Sequence, residues 1–258
     1  MPSFDSSGVE INYVVEGRGP PIVLVHGFAS SLQGNWRATG VMDSLTSSGR
    51  QAVALDCRGH GRSGKPHDPQ AYGSTAMADD VIALMDHLGL AHADLIGYSM
   101  GALIASSLLI RKPERFRSVI LSGIGDRLIA GGGPSRERGE AIAKALEATD
   151  AKSVPTLTAQ AFRVFAERNG NDLAALAAMQ RSSRDRIDVK KLGQTRLQVL
   201  VLIGEADTLV GPADRLAAMI PGARLVKVPG DHLSAPLQPE FRHAVVQFLA
   251  EHSPVAAS

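Results

Sequence analysis

The chain has 258 residues, and its 27 basic and 26 acidic side chains leave a formal charge of +1 at pH 7. This length allows one large core, and the near-neutral charge is not that of a nucleic-acid-binding domain. No apolar run approaches the roughly 18 residues of a membrane span, and Asp5, Glu10 and Glu16 interrupt the segment where a signal peptide would be apolar. The single cysteine, Cys57, excludes an intramolecular disulfide. We therefore expect a cytoplasmic protein without nucleic-acid or membrane partners, built as one domain with an insertion.

The first predicted elements are a β-hairpin and a series of buried strands. Residues 4–16 alternate between apolar and polar side chains around a Ser6-Ser7-Gly8 turn, which predicts an antiparallel hairpin at a sheet edge. Short apolar runs with helical patterns between them follow at residues 21–26, 51–56, 93–97, 118–123, 198–204 and 223–228. This alternation predicts an α/β fold: a mostly parallel sheet with helices on both faces and ligands at the carboxyl ends of the strands.

Three helices can be placed beside these strands. Residues 75–88 carry apolar side chains at helical spacing and are followed by Gly89, a typical helix stop. Residues 100–110 are apolar nearly all round, as expected of a helix buried beside a sheet, and Pro113 lies just beyond them. The last helix has an apolar stripe formed by Phe241, Val245, Phe248 and Leu249.

A long interval, residues 126–197, contains no convincing strand and is too long for a bare loop in a compact domain. Gly131-Gly132-Gly133-Pro134 resembles a flexible hinge, and apolar side chains recur at helical spacing near residues 137–148, 156–168 and 172–181. We predict a helical cap over residues 126–197, inserted into a core formed by residues 1–125 and 198–258. A partly disordered insertion remains an alternative, because residues 181–191 are dense in charge.

The pentapeptide Gly97-Tyr98-Ser99-Met100-Gly101 follows one predicted strand and opens a helix. In this context the G-x-S-x-G pattern indicates a sharp turn that exposes the serine hydroxyl and needs small neighbours. The N-terminus of the following helix would place free backbone N–H groups and a positive dipole end beneath any anion formed there. The motif therefore predicts that Ser99 is a nucleophile.

A serine nucleophile needs a general base, and the base needs a carboxylate that fixes its tautomer. His232 is the histidine that follows a predicted strand downstream of Ser99, so we assign it as the base. Asp207, after the strand at residues 198–204, is the preferred carboxylate, and Asp126 remains the alternative. Asp231 adjoins the histidine and is expected to hydrogen-bond its own turn.

The oxyanion formed in such a reaction requires two backbone N–H donors. One is expected from Met100, the residue after the nucleophile, and the second from Phe28 in the sharp turn His26-Gly27-Phe28. Residues 56–63 contain several glycines but lack the spacing and the lysine-hydroxyl pair of a phosphate loop. We interpret this segment as a structural loop braced by Asp56 and Arg58.

Taken together, these motifs and residues 204–207 and 230–232 resemble the α/β-hydrolase superfamily, in its capped subgroup of small carboxylesterases, enol-lactonases and C–C hydrolases. The resemblance implies a sheet of about eight strands, a triad in the order Ser99, Asp207, His232, an oxyanion hole at Phe28 and Met100, and neither cofactor nor metal. Serine at the sharp turn of the G-x-S-x-G motif argues against haloalkane dehalogenase and epoxide hydrolase chemistry, in which a carboxylate attacks.

The function expected from these residues is hydrolysis of a small or medium, mainly apolar ester, lactone or thioester through an acyl-enzyme. The alternatives are C–C bond hydrolysis or peracid formation by the same triad and, in another class, a non-catalytic small-molecule receptor. Cap residues Leu157, Phe162 and Phe165 are expected to roof the serine, with Phe28 and Leu209 below, and to leave a dry, apolar pocket.

Overall fold

The computed structural model describes residues 1–73, 75–130, 136–150, 154, 156–182 and 187–255. Its centre is a single eight-stranded sheet with the order β1-β2-β4-β3-β5-β6-β7-β8. The strands are β1 (Ser3–Ser6), β2 (Val9–Glu16), β3 (Pro21–Val25), β4 (Gln51–Leu55), β5 (Ala93–Tyr98), β6 (Phe116–Ser122), β7 (Gln198–Gly204) and β8 (Arg224–Val228). The hairpin β1-β2 is antiparallel and joins β4 antiparallel, whereas β4, β3, β5, β6, β7 and β8 run parallel. The predicted α/β sheet is therefore confirmed.

The central strands are buried on both faces, which explains why their sequences are continuously apolar. In the register of the sheet, Val23 of β3 pairs with Val53 of β4 and with Leu95 of β5. Alternate residues of each strand contribute to two apolar clusters, one on either side of the sheet. Val23 and Val25 point into one cluster, and Ile22 and Leu24 point into the other.

Helices cover both faces of the sheet. The α-helices of the described residues are α1 (Val41–Ser47), α2 (Ala76–His87), α3 (Met100–Arg111), α4 (Arg136–Glu147), α5 (Leu157–Arg168), α6 (Leu173–Arg181), α7 (Val189–Leu192), α8 (Asp214–Met219) and α9 (Pro239–His252). Side chains of α2 and α3 belong to one apolar cluster, and side chains of α1 and α9 belong to the other. The helices predicted from apolar spacing are confirmed, whereas the shorter α1, α7 and α8 were not assigned from the sequence. Nowhere in the described ranges is a helix both long and apolar enough to cross a lipid bilayer.

The long interval between β6 and β7 contains α4, α5 and α6 where its apolar spacing predicts helices. Thr156 and Asp172 cap α5 and α6, because their side chains accept hydrogen bonds from the N–H groups of Ala159 (3.3 Å) and Ala175 (3.0 Å). A third apolar cluster joins the three helices to the loop after β3. The proposed hinge, residues 131–134, and residues 183–186 of the charged tract lie outside the described residues.

Candidate active site

Ser99 lies at the corner between β5 and α3, with φ 53° and ψ −108°. A positive φ is costly for a residue with a side chain, and the surrounding contacts hold Ser99 there. Its N–H donates to the carbonyl oxygen of Ser122 at 2.8 Å. A Cβ at Gly97 would overlap the carbonyl of Gly101, and a Cβ at Gly101 would overlap the carbonyl of Val25. The two glycines therefore allow the close packing that this strand-to-helix corner requires.

The structure brings Ser99, His232 and Asp207 into one hydrogen-bonded series. His232 Nε2 lies 2.9 Å from Ser99 Oγ, and His232 Nδ1 lies 2.6 Å from Asp207 Oδ2. The carboxylate can only accept, so the ring proton lies on Nδ1 and the lone pair of Nε2 faces the serine hydroxyl. The side chain of Asp207 is fully buried, and its other oxygen accepts from the N–H groups of Leu209 (3.1 Å) and Val210 (3.3 Å). This arrangement provides a base beside the hydroxyl and an anion beside the base.

The two other candidate carboxylates have different partners. Asp126 accepts a hydrogen bond from the N–H of Leu216 at 2.8 Å, at the start of α8, so it does not orient His232. Asp231 accepts from Ser234 Oγ (2.6 Å) and from the N–H groups of Ser234 (2.9 Å) and Leu233 (3.0 Å). These bonds to Ser234 and Leu233 hold the pKa of Asp231 below its ordinary value. Asp231 therefore stabilises the turn that carries His232, as its position predicts.

Tyr98, the second residue of the G-x-S-x-G motif, also holds His232 in place. Its hydroxyl donates to the backbone carbonyl of His232 at 2.6 Å, and its ring packs against the imidazole and against Phe241. Burial, with help from Asp207 and Asp231, raises the pKa of Tyr98, so the hydroxyl remains a donor across the physiological range. The sequence gives no signal for this role of Tyr98, because the motif leaves the residue before the serine unspecified.

The turn His26-Gly27-Phe28 lies directly beside the nucleophile, since a Cβ at Gly27 would be 3.5 Å from Ser99 Cβ. Its backbone is fixed by the Asn35 side chain, which accepts from the Gly27 N–H at 2.9 Å. Phe28 and Met100 both border the cavity at Ser99. Met100 is the first residue of α3, where N–H groups have no partner within the helix. Both residues therefore border the cavity beside Ser99, and the oxyanion hole at their N–H groups stays a prediction.

Two buried histidines, His26 and His60, contact this turn on the side facing the protein interior. His26 Nε2 accepts from the N–H of Cys57 at 2.9 Å, so His26 is neutral and its Nδ1–H donates to the carbonyl of Gly27 at 2.7 Å. The ring of His60 packs edge-on against His26 and Phe28. Burial, reinforced by His26, lowers the pKa of His60 to about 3, so both imidazoles are uncharged at neutral pH.

The loop at residues 56–63 is structural, as predicted. The Asp56 carboxylate accepts from the N–H of Leu32 (2.8 Å), from Asn12 Nδ2 (2.9 Å) and from the N–H of Arg62 (2.9 Å). Arg58 forms a buried ion pair with Asp80 at 2.6 Å. Burial raises the pKa of the Cys57 thiol well above its ordinary value, which leaves this cysteine a poor nucleophile.

The cavity at Ser99 has two lobes. The larger lobe, about 600 Å³, includes His232 in its lining, whereas the smaller lobe, about 140 Å³, includes Met100. The residues common to both lobes are Phe28, Ser99, Phe162 and Leu209. Three of the predicted wall residues, Phe162, Phe165 and Leu209, line the larger lobe as half-buried side chains. Leu157 lies at the rim of that lobe and is 84% exposed, because it is the first residue of α5.

The smaller lobe is more polar than the dry, apolar pocket expected from the sequence. Arg127, Arg138 and Gln180 line it together with aliphatic side chains. Arg127 comes from the loop after β6 and Arg138 from α4, so two different elements bring these side chains to the lobe. Sequence spacing gave no signal for this pair. Within the described ranges, no three His, Cys, Asp or Glu side chains are grouped as metal ligands.

Comparison with known proteins finds matches to hydrolases and to the alpha/beta hydrolase fold. A family model described as the alpha/beta hydrolase fold matches residues 20–159. An epoxide hydrolase of Caballeronia sordidicola is 33% identical over 44% of this chain, a segment that spans only 34% of the relative's length. The 2-(acetamidomethylene)succinate hydrolase of Mesorhizobium japonicum is 30% identical over 95% of this chain and 93% of its own. A hydrolase structure from Pseudomonas aeruginosa has a TM-score of 0.79 at 27% identity and covers 96% of this chain and 97% of the other.

Proposed function

The chain belongs to the α/β-hydrolase fold family, and from that premise we propose that it is a serine hydrolase that cleaves a small or medium carboxylic ester, lactone or thioester through an acyl-enzyme. The observation that carries the proposal is the hydrogen-bonded series from Ser99 Oγ through His232 to Asp207, at the junction of the two lobes. A serine hydroxyl with a neutral imidazole at 2.9 Å is an activated nucleophile.

In the first half of the reaction, Ser99 Oγ bonds to the substrate carbonyl carbon while His232 Nε2 takes the hydroxyl proton. The buried Asp207 carboxylate stabilises the resulting imidazolium, and the N–H groups of Phe28 and Met100 stabilise the oxyanion. The bond to the leaving group then breaks, and His232 gives the proton to the departing oxygen or sulfur. In the second half, a water oxygen bonds to the acyl carbon while His232 takes a proton from that water. The bond from the acyl carbon to Ser99 Oγ then breaks, and His232 returns the proton to Ser99 Oγ as the acid leaves.

The linings of the two lobes support one orientation of the substrate. His232 must reach the leaving group in order to protonate it, and His232 lines the larger lobe. The leaving group therefore occupies the larger lobe, and the acyl group occupies the smaller lobe beside Met100.

The names of the relatives support hydrolase activity. They differ in the bond that is cleaved, so the ester bond is our proposal. One relative is named as an epoxide hydrolase and another as the hydrolase of a succinate derivative. Residue 99 is a serine, whereas in epoxide hydrolase chemistry a carboxylate attacks the substrate. The serine therefore favours acyl transfer over epoxide opening.

A fluorophosphonate probe tests the proposal, because it labels only an activated serine. We expect labelling of the wild-type protein at Ser99 and Ser99-dependent hydrolysis of p-nitrophenyl butyrate, with both lost in Ser99→Ala. Ser106→Ala is the matched control, since Ser106 Oγ is buried in α3 and donates to the carbonyl of Ala102 at 2.7 Å. Absence of labelling in folded wild-type protein would support the receptor alternative, and undiminished hydrolysis in Ser99→Ala would remove Ser99 from the mechanism.

A further inference from the structure

We infer that the enzyme acts on esters of a bulky, uncharged, apolar alcohol or phenol, whose far end packs against a leucine rim formed by Leu157, Leu233 and Leu237. These three side chains then determine which leaving group is preferred. The inference rests on the proposed function, because the leaving group is assigned to the larger lobe by the position of His232 in that lobe.

The leucine rim gathers exposed apolar side chains at one opening. Among the described residues, six large apolar side chains are exposed, and three of them, Leu157 (84%), Leu233 (62%) and Leu237 (54%), line the larger lobe. A single exposed leucine is ordinary at a protein surface, whereas a cluster of them marks a site that contacts an apolar ligand. The rim belongs to the same lining as Ser99 and His232, so the ligand expected there is the substrate.

Two leucines of the rim are held by the turn that carries His232. The Leu233 N–H donates to Asp231 Oδ1 at 3.0 Å, and the Leu237 N–H donates to the carbonyl of Ser234 at 3.1 Å. The third leucine of the rim is the first residue of α5 and comes from a separate element. Because hydrogen bonds already fix the backbone of the turn, binding of an apolar group there orders little of the chain, which favours affinity.

The charges around the larger lobe disfavour an anionic leaving group. Among the described residues of its lining there is no Lys or Arg, and the one acid is Asp231. Hydrogen bonds from Ser234 and Leu233 hold the pKa of Asp231 below its ordinary value, so it is a carboxylate at neutral pH. Apart from His232, the other polar side chains of the lining are hydroxyls and amides. A negative charge on the leaving group would therefore lie near an anion without a cation to balance it.

The volume of the larger lobe sets the size of the leaving group. At about 600 Å³, the lobe is about four times as large as the roughly 150 Å³ of an engineered cavity that binds benzene. One aromatic ring therefore fills only part of it, and two linked rings fit. Phe28, Phe162 and Leu209 line both lobes together with Ser99, whereas the leucine rim lines only the larger lobe. The first ring is thus expected beside Ser99, and the second ring at the rim.

The test compares two substrates in one enzyme: the butyrate esters of 4-phenylphenol and of phenol. The two leaving groups are of similar acidity and differ in one apolar ring. Released phenol is measured by chromatography, with each ester below its solubility limit, and each rate is corrected for spontaneous hydrolysis. We expect the wild-type kcat/KM to favour the 4-phenylphenyl ester by about tenfold, because the second ring is removed from water at the rim.

Truncation of the rim should remove this preference. The double variant Leu233→Ala/Leu237→Ala should lower the ratio of the two kcat/KM values by about fivefold, since it removes apolar surface that only the larger ester contacts. Leu157→Ala should lower the ratio by about twofold, because Leu157 is the most exposed of the three. The ratio does not depend on how much of a variant is correctly folded, and a shift of His232 would slow both esters alike.

Two further variants and one further pair of esters separate apolar contact from other effects. Leu233→Met keeps the apolar contact and should keep the ratio. Val15→Ala truncates an exposed apolar side chain that lines neither lobe and should leave the ratio unchanged. Between the butyrates of 4'-carbamoyl- and 4'-carboxy-4-hydroxybiphenyl, the wild type should favour the uncharged carbamoyl ester, and added salt should weaken this preference.

The outcomes distinguish this inference from the proposed function. The inference is overturned if the wild type cleaves the two butyrates through Ser99 with equal kcat/KM, if it prefers the carboxylate-bearing ester, or if truncation of the rim leaves the ratio unchanged. An unchanged ratio together with lost binding to phosphatidylcholine vesicles would show that the rim docks on lipid instead. In each case the serine mechanism stands. If Ser99→Ala cleaves both butyrates as fast as the wild type, the proposed function fails instead.

Discussion

The cavity lies between loops at the carboxyl ends of the strands, called the core side below, and the segment with α4, α5 and α6, for which we propose the role of a cap and which is called the cap side. These two sides are held in different ways. On the core side, backbone hydrogen bonds link the loops to one another: Glu205 N–H donates to Val228, and Ala206 N–H donates to Gly230. On the cap side, side chains make the links: Asn171 Nδ2 donates to the carbonyl of Ala29 at 2.8 Å, and Phe162 packs edge-on against Phe28 at 5.6 Å. We therefore expect the core side to fix the reacting groups, and the side chains of the cap side to form walls of the cavity.

The largest expected effect is on kcat, when the carboxylate of the core side, Asp207, is replaced. Asp207→Asn should lower kcat by about 10⁴-fold, because a neutral amide no longer selects the tautomer of His232 or stabilises the imidazolium. Steady-state hydrolysis of p-nitrophenyl butyrate measures this loss. Asp126→Asn is the matched control and should leave kcat close to that of the wild type, since Asp126 caps α8. Equal losses in the two variants would contradict the assignment of Asp207.

The next largest effect is on the free energy of unfolding, at the corner between β5 and α3. Gly101→Ala should lower the free energy of unfolding by about 3 kcal/mol, because the new Cβ overlaps the Val25 carbonyl and the backbone of α3 must move. Gly89→Ala is the comparison: Gly89 has φ 67° and open space around it, so only the backbone conformation costs energy, about 1 kcal/mol. Urea unfolding followed by circular dichroism measures both. Similar losses of stability in the two variants would mean that the backbone at the corner between β5 and α3 can shift at little cost to accommodate the new Cβ.

Acid tests the core side through its two buried histidines, His26 and His60. Burial lowers the pKa of His60 to about 3, so between its unfolded value of 6.5 and that value the unfolded chain binds the additional proton. Stability is therefore fully present above pH 6.5 and is lost as the pH falls, by about 1 to 2 kcal/mol between pH 7 and pH 5. Urea unfolding at the two pH values measures the difference.

The control variants for this prediction are two histidine substitutions. His60→Gln should reduce the pH dependence but not abolish it, because burial also lowers the pKa of His26. His243→Gln, on the exposed face of α9, should leave the pH dependence unchanged. An unchanged slope in His60→Gln would show that His60 does not remain neutral in the folded protein.

The sequence predicts the core side well and the cap side poorly, and the reason is physical. The strands and the G-x-S-x-G corner are local patterns, set by residues adjacent in the chain, such as Gly97 and Gly101 around Ser99. The lining of the cap depends on how α4 and α5 sit over the sheet, which apolar spacing does not specify. Spacing therefore predicts a helix at Leu157 but not its exposure. Arg127 and Arg138 come from different elements, and no pattern relates them.

The smallest expected effects distinguish two cap residues that the sequence treats alike. Phe162 lines both lobes and packs against Phe28, whereas Leu157 lies at the rim and is 84% exposed. Phe162→Ala should lower kcat/KM for p-nitrophenyl butyrate about tenfold, because substrate loses a wall in both lobes. Leu157→Ala should change it by about twofold or less, as expected of an exposed side chain. If Leu157→Ala costs as much as Phe162→Ala, then α5 closes over the bound ester, and the cap side is set by the substrate as well as by the fold.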